Sequence, residues 1–128
     1  MIRMIRWLVL AVFGAVLGGC SSTPSLVDTG PTPAQIGAAG QAQGPVHWGG
    51  QIIKVKNLSD RTVIEVLAHP LDGDGRPRVD LETQGRFLVE RDGFLEPQRY
   101  STSRLLEVRG RLQGFTDGQV GDAPYRYP

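Results

Sequence analysis

The chain has 128 residues, with 14 Lys and Arg against 13 Asp and Glu, a formal net charge of +1 and 40% hydrophobic residues. So even a balance gives no electrostatic footprint for a nucleic-acid partner, and a single cysteine excludes an intrachain disulfide framework. The length suits one small folded domain whose stability comes from packing.

Arg3 and Arg6 open the chain, and residues 7–17, WLVLAVFGAVL, follow without a charge. A spanning helix needs about 20 apolar residues, whereas a secretory leader has a basic start, an apolar stretch of roughly 7–15 and a small-residue cleavage site. This segment is too short to span and reads as an export leader over residues 1–19. It ends on Leu17-Gly18-Gly19-Cys20, which resembles the lipobox of bacterial lipoprotein signals. The resemblance implies that Cys20 becomes the first residue of the mature chain and carries lipid on its sulfur, palmitate included. The residue suits that chemistry, because a thiolate is a strong nucleophile, and Gly18 and Gly19 let an extended chain enter a peptidase. Acyl methylenes contribute about 0.8 kcal/mol each, so several chains hold a protein at a membrane where one holds it marginally. The alternative is a plain secreted protein with a free thiol near its start. Ser21 stands where an aspartate commonly retains lipoproteins at the inner membrane, which implies the outer membrane, with the anchored domain facing the periplasm. Two of the 14 basic residues, Arg3 and Arg6, leave with the leader, so the mature chain has 12 against 13 acidic ones, net −1.

Residues 20–45 are expected to be the lipidated cysteine and a flexible linker. Ser21 to Pro45, SSTPSLVDTGPTPAQIGAAGQAQGP, is rich in Pro, Gly, Ala, Ser, Thr and Gln, and its few apolar residues show no period. Coil statistics would hold the domain on the order of 25–30 Å from its lipid. A short helix over residues 32–42 is the one ordered element this stretch could contain.

Residues 46–128 form the folded domain, and the apolar residues fall in short runs between turn formers with no sustained helical spacing. The first strand is VHWGGQIIKVKN, where Ile53 and Val55 alternate with Lys54 and Lys56, and Gly49-Gly50 marks a bulge or sharp bend. A turn at NLSD, residues 57–60, leads into the β-branched run TVIEVLAHPL, residues 62–71, so the two make a hairpin. The polar loop DGDGRPRVD, residues 72–80, precedes a short strand at GRFLVER. DGFLEPQRY, residues 92–100, suits one helical turn or an irregular excursion. The last clear strand is LLEVRGRLQG, with Leu106, Val108 and Leu112 on one face and Glu107, Arg109 and Arg111 on the other. Four or five strands, two of them long and bent at glycines, predict an all-β fold: a small antiparallel, partly open OB-like barrel, with a two-layer sandwich as the alternative.

The ordered set WGG, PLD-x-x-GRP, GRFL, GFLEP and V-x-G-x-L-x-G, ending in APYRYP, resembles the Slp family of outer-membrane lipoproteins, the carbon-starvation-inducible group. That implies an envelope lipoprotein expressed under starvation or stress, associated with resistance to acidic metabolites and without an established enzymatic activity. Family members run on past the Tyr-x-Tyr-Pro element while this chain stops at Pro128, so the resemblance leaves the closing strand open: a truncated copy, or a more open barrel.

Several residues invite a chemical reading. Asp72, Asp74 and Asp80 alternate as in a calcium loop, but counting from Asp72 puts Arg76, Pro77 and Thr83 where the EF-hand requires a ligand, glycine and glutamate, so a turn is the better account. His47 and His69 lack partners at zinc-ligand spacing, and His69 beside Pro70 reads as a surface or edge residue. Ser101 and Ser103 lack a nucleophile elbow, Ser59 with Asp60 is a turn pair, and alternation sends Glu65 and Glu107 to the solvated face. No enzyme, cofactor or metal is expected. Arg86, Arg91, Arg104, Arg109 and Arg111 could form a stripe for lipid phosphate or an anionic glycan, yet Glu82, Glu90, Asp92 and Glu107 balance them, and arginines also blunt strand edges. The expected role is structural or interactive, with an envelope protein as partner. The alternative is a binding module for a small anionic ligand or glycan on the barrel face, which clustered exposed aromatics would favour and scattered buried ones would not.

Overall fold

The computed structural model of the chain describes residue 19 and residues 25–40 and 43–128. The leader core at residues 7–17, Cys20 and Ser21 lie outside the described residues, and no described helix is long and apolar enough to cross a membrane. The elements are α1 (Pro33–Ala39), β1 (Gly44–Asn57), β2 (Arg61–Ala68), β3 (Arg86–Asp92), β4 (Leu105–Leu112), β5 (Thr116–Val120) and β6 (Ala123–Tyr127). The first four strands form one antiparallel sheet in the order β3-β2-β1-β4, and β5 and β6 form a separate hairpin. This is the expected all-β architecture, realised as a half-barrel.

The curl comes from β1. Its residues 44–51 pair with β4 and its residues 50–57 with β2, so only Gly50 and Gln51 have a strand on both sides. Glycines stand at that junction because the backbones meet there. A Cβ on Gly49 would lie 2.6 Å from the Leu106 carbonyl oxygen, and one on Gly50 would collide with the backbone of Leu67. The bend expected at Gly49-Gly50 is therefore a close approach, while the bulge falls at Ile53, where the β1–β2 register shifts between Ile52 and Lys54. One extra residue reverses the side-chain parity. The inward row runs Val46, Trp48, Ile52 and then Val55, so Ile53 leaves the core row in which the alternation had put it.

β2 shows a clean two-residue period: Thr62, Ile64, Val66 and Ala68 are buried. With Trp48, Ile52 and Phe87 they fill the concave side, each large apolar side chain contributing about 1.5–3 kcal/mol by leaving water. Trp48 and Phe87 pack with ring centroids 5.2 Å apart at 60°. The β1–β2 turn is tied to the loop after β3 by Asn57, whose Nδ2 donates to the Leu95 carbonyl at 3.1 Å and whose Oδ1 accepts from Leu95 N at 3.2 Å. The buried Thr62 hydroxyl lies against both Asn57 Oδ1 and the Gly93 carbonyl. Of the two forms open to residues 92–100, a helical turn or an irregular excursion, residues 96–100 make a turn, with the amides of Arg99 and Tyr100 donating to the Glu96 carbonyl at 3.1 Å.

Much of the segment expected to be a free tether lies on the domain. Val27 N donates to the Leu71 carbonyl at 2.9 Å, Leu26 bridges to Asp72, and Trp48 Nε1 donates to the Pro31 carbonyl at 3.1 Å. α1 starts at a capping box in which Thr32 Oγ1 accepts from Gln35 N and Gln35 Oε1 accepts from Thr32 N, and it ends at Gly40 with φ +68°. Its Pro33 is buried and its Ile36 packs on the core. These contacts are made to residues tens of positions away, which is why composition alone pointed to a flexible chain.

The hairpin β5–β6 turns at Gly121-Asp122 and leans on the outer edge of β3. The Arg86 amide donates to the Tyr125 hydroxyl at 2.8 Å and the Leu88 amide to the Pro128 carbonyl at 3.0 Å. Its buried Tyr127 reaches Glu65 on β2, with the hydroxyl donating to Oε1 at 3.0 Å.

Candidate functional site

Between β3 and β4 the sheet does not close among the described residues. The gap is a groove of about 650 Å³. Its floor is apolar, with Val46, Trp48, Ile64, Phe87, Val108 and Leu112. Tyr100, Phe115 and Tyr127 also line it. Both rims are strand edges: among the described residues β4 has no strand on its outer side, and β3 is only partly covered by the hairpin. An exposed strand edge is a row of backbone donors and acceptors waiting for an extended chain.

Charge at the rims is mixed with a basic excess on β4. Arg91, Arg109 and Arg111 are exposed and border the groove. Arg109 lies 3.5 Å from Glu107, whose Oε1 is also 2.8 Å from His47 Nε2. The His47 hydrogen bond holds the Glu107 carboxyl below its usual range, with Arg109 adding to the effect. Arg104 is exposed just before β4. Arg86 drops out of the expected stripe: its Nη1 is 2.8 Å from Glu65 Oε1. Glu65 itself is corrected from a solvated position to one only 16% exposed, because Arg86 and Tyr127 cover the outer face of β2 there.

The other sequence candidates are occupied by structure. Asp72 Oδ1 accepts the amides of Asp74 at 2.9 Å and Arg76 at 3.0 Å, so that carboxylate organises the loop. Asp80 accepts two hydrogen bonds from Arg78, at 2.9 and 2.7 Å, and this pairing lowers its pKa. His69 is 6% exposed, with Nδ1 3.1 Å from the Leu81 carbonyl, which corrects the surface reading. It is buried because the strand β2 and the loop that follows fold back over it. His47 lies with Glu107, and Ser103 uses its amide on the Ile52 carbonyl at 2.8 Å, so the serines and histidines have separate partners. No group of three His, Cys, Asp or Glu able to hold a metal occurs among the described residues. The aromatics do not cluster at the surface: Trp48, Phe87 and Tyr127 are buried, Phe115 lies under the Arg126 guanidinium at 4.5 Å, and Phe94 is exposed in the loop after β3. Sequence reasoning missed the groove because it arises from which strands fail to pair.

The fold and groove define a small β half-barrel with an open, apolar, strand-edged cleft. The chain belongs to the outer membrane lipoprotein Slp family, whose model matches residues 17–128. It is 29% identical over 132 residues to the uncharacterized lipoprotein YeaY of Escherichia coli K12, covering 98% of this chain and 68% of that protein. It is 38% identical over 84 residues to an uncharacterized protein of Haemophilus influenzae KW20, and 32% identical over 81 residues to the outer membrane protein Slp of E. coli K12. Those two alignments cover 65% and 63% of this chain and 45% and 43% of the relatives, less than half their length. None of these names mentions a catalytic activity. No solved structure matches.

Proposed function

We propose that the chain is anchored in the outer membrane by lipid on Cys20 after removal of residues 1–19, faces the periplasm, and serves an interaction role in the cell envelope linked to starvation or stress. The groove between β3 and β4 is the interaction surface, and its occupant is an extended segment of an envelope protein. One observation carries this reading: the free outer edge of β4 runs beside an apolar floor. A strand added at such an edge is held by main-chain hydrogen bonds, and its alternate side chains choose the partner. Inward residues of the incoming strand would lie over Leu106, Val108 and Leu112 and should be apolar. Outward residues would lie beside Arg109 and Arg111 and should be acidic.

Photo-crosslinking in intact envelopes tests it, with p-benzoylphenylalanine at Leu106 or Leu112 of the full lipidated chain and at Asp122 as control. The expected product is a peptide with alternating apolar and acidic residues, joined from the groove positions and lost in an R109E/R111E background. Adducts to a saccharide or a small anionic molecule would replace this reading with the ligand-binding one. Absence of any groove-specific adduct would overturn both.

A further inference from the structure

We propose that one lobe of the domain, built from residues 25–27, 70–72 and 76–81, rests against the lipid bilayer surface. The inference rests on the reading of Cys20 as the lipid anchor.

The lobe is a small set of adjacent segments. Val27 N donates to the Leu71 carbonyl at 2.9 Å and Leu26 bridges to Asp72; Leu71 bridges to Pro77, and Arg78 N donates to the Pro70 carbonyl at 2.8 Å. Leu81 N donates to the Arg78 carbonyl at 3.1 Å, which folds the next residues back on the same lobe. Leu71 and Pro77 are buried, and the Asp72 carboxylate holds the amides of Asp74 and Arg76, so the lobe is fixed to the sheet.

Two independent observations point the lobe at the membrane. The first is chain length. Leu26 follows Cys20 by six positions, and six residues span at most about 20 Å when fully extended. Whatever path residues 21–24 take, Leu26 stays within that distance of the acylated sulfur, and the rest of the lobe is hydrogen-bonded to it. A tether of the expected 25 residues would have left the domain's orientation free; docking at Leu26 and Val27 removes that freedom. The second is surface chemistry. Leu26 is 50% exposed, Val79 51% and Leu81 37%, and these are three of the five large hydrophobic residues exposed among the described residues. Around them Arg76 is exposed together with Asp28, Asp74 and Glu82, while Arg78 is paired with Asp80 and Asp72 is engaged by backbone amides. Apolar side chains at the surface suit the headgroup and upper acyl region of a bilayer, where interfacial segments bury their apolar side about 5–10 Å.

The test uses the full lipidated protein reconstituted in phosphatidylethanolamine/phosphatidylglycerol vesicles. Because an acylated Cys20 has no free thiol, V79C and D122C variants each take a single thiol-reactive nitrobenzoxadiazole label. The expected result is a blue-shifted label at position 79, quenched at least about twofold more by headgroup-region nitroxide lipids than the label at position 122. Equal quenching at the two sites, or none at 79 while the protein floats with the vesicles, overturns the membrane-facing lobe and leaves the anchor intact. A protein that does not float, with Cys20 unmodified by mass spectrometry, overturns the anchor and the lobe together.

Discussion

Replacing Trp48 with phenylalanine isolates the bond between the sheet and the N-terminal segment. Trp48 is buried, its indole nitrogen donates to the Pro31 carbonyl at 3.1 Å, and its ring meets Phe87 at 60°. A phenyl ring preserves the tilted aromatic contact but deletes the N–H and leaves part of the indole volume empty. The lost hydrogen bond costs about 0.5–1.5 kcal/mol net. The missing ring atoms, worth about 1–2 kcal/mol as two buried methylene equivalents with their cavity, bring the total to about 1.5–3.5 kcal/mol. For a domain near 100 residues that lowers Tm by about 6–28 °C. Urea unfolding followed by far-ultraviolet circular dichroism measures it, since Trp48 is the sole indole of residues 25–128 and the variant has no tryptophan fluorescence there. Amide exchange in α1 should accelerate more than in β2, because α1 and the preceding Pro31 are what the indole fastens. A variant within about 0.5 kcal/mol of the parent, with α1 equally protected, would refute the claim that Trp48 pins this segment.

Other expectations follow from single contacts. Asn57→Ala removes both bonds to Leu95 and one neighbour of the buried Thr62 hydroxyl, so stability should fall by about 1–3 kcal/mol, with exchange at residues 93–95 rising first. Glu107→Gln should flatten the acid limb of the stability curve. The folded Glu107 pKa lies below its ordinary value of 4.5, so its contribution is present above that value and lost as pH falls through the folded one; chemical denaturation between pH 3 and 6 compares the two proteins. Tyr127 behaves oppositely: burial first, then the bond to Glu65, raises its pKa above 10.0, so its contribution is complete below pH 10 and lost as pH rises through the folded value. Tyr127→Phe should remove that alkaline loss, read by spectrophotometric titration together with thermal melts.

Strand existence was legible because the period was local. β2 alternates without interruption and β4 does so except at Gly110, and their inward rows are Ile64 and Val66 in one and Leu106, Val108 and Leu112 in the other. The row through Ile53 and Val55 was misread because Ile52 and Ile53 are both apolar, and only the register of β2 decides which enters the core. Glu65 was placed on the correct face of its strand, yet that face is covered by Tyr127 from 62 residues away. The N-terminal segment carried one readable signal, Thr32-Pro33-Ala34-Gln35 followed by Gly40, and its cap is present. Nothing local in Leu26-Val27 announces a bridge to residues 71–72.

One strand relates the groove to the anchor. Trp48 on the inner side of β1 forms groove floor, and its neighbour Gly49 has the side chains of Leu71 and Pro77 where its own Cβ would be. The lobe that receives the N-terminal segment is therefore packed against β1 on the side opposite the groove. If lipid on Cys20 draws that lobe to the bilayer, the sheet turns its outer face to the membrane and its open cleft away from it. The free edge of β4 is then presented to the periplasm, where an extended segment of an envelope protein can reach it. A freely swinging tether would give the cleft no preferred direction. In that case the contacts at Leu26, Val27 and Pro31 orient the attached domain.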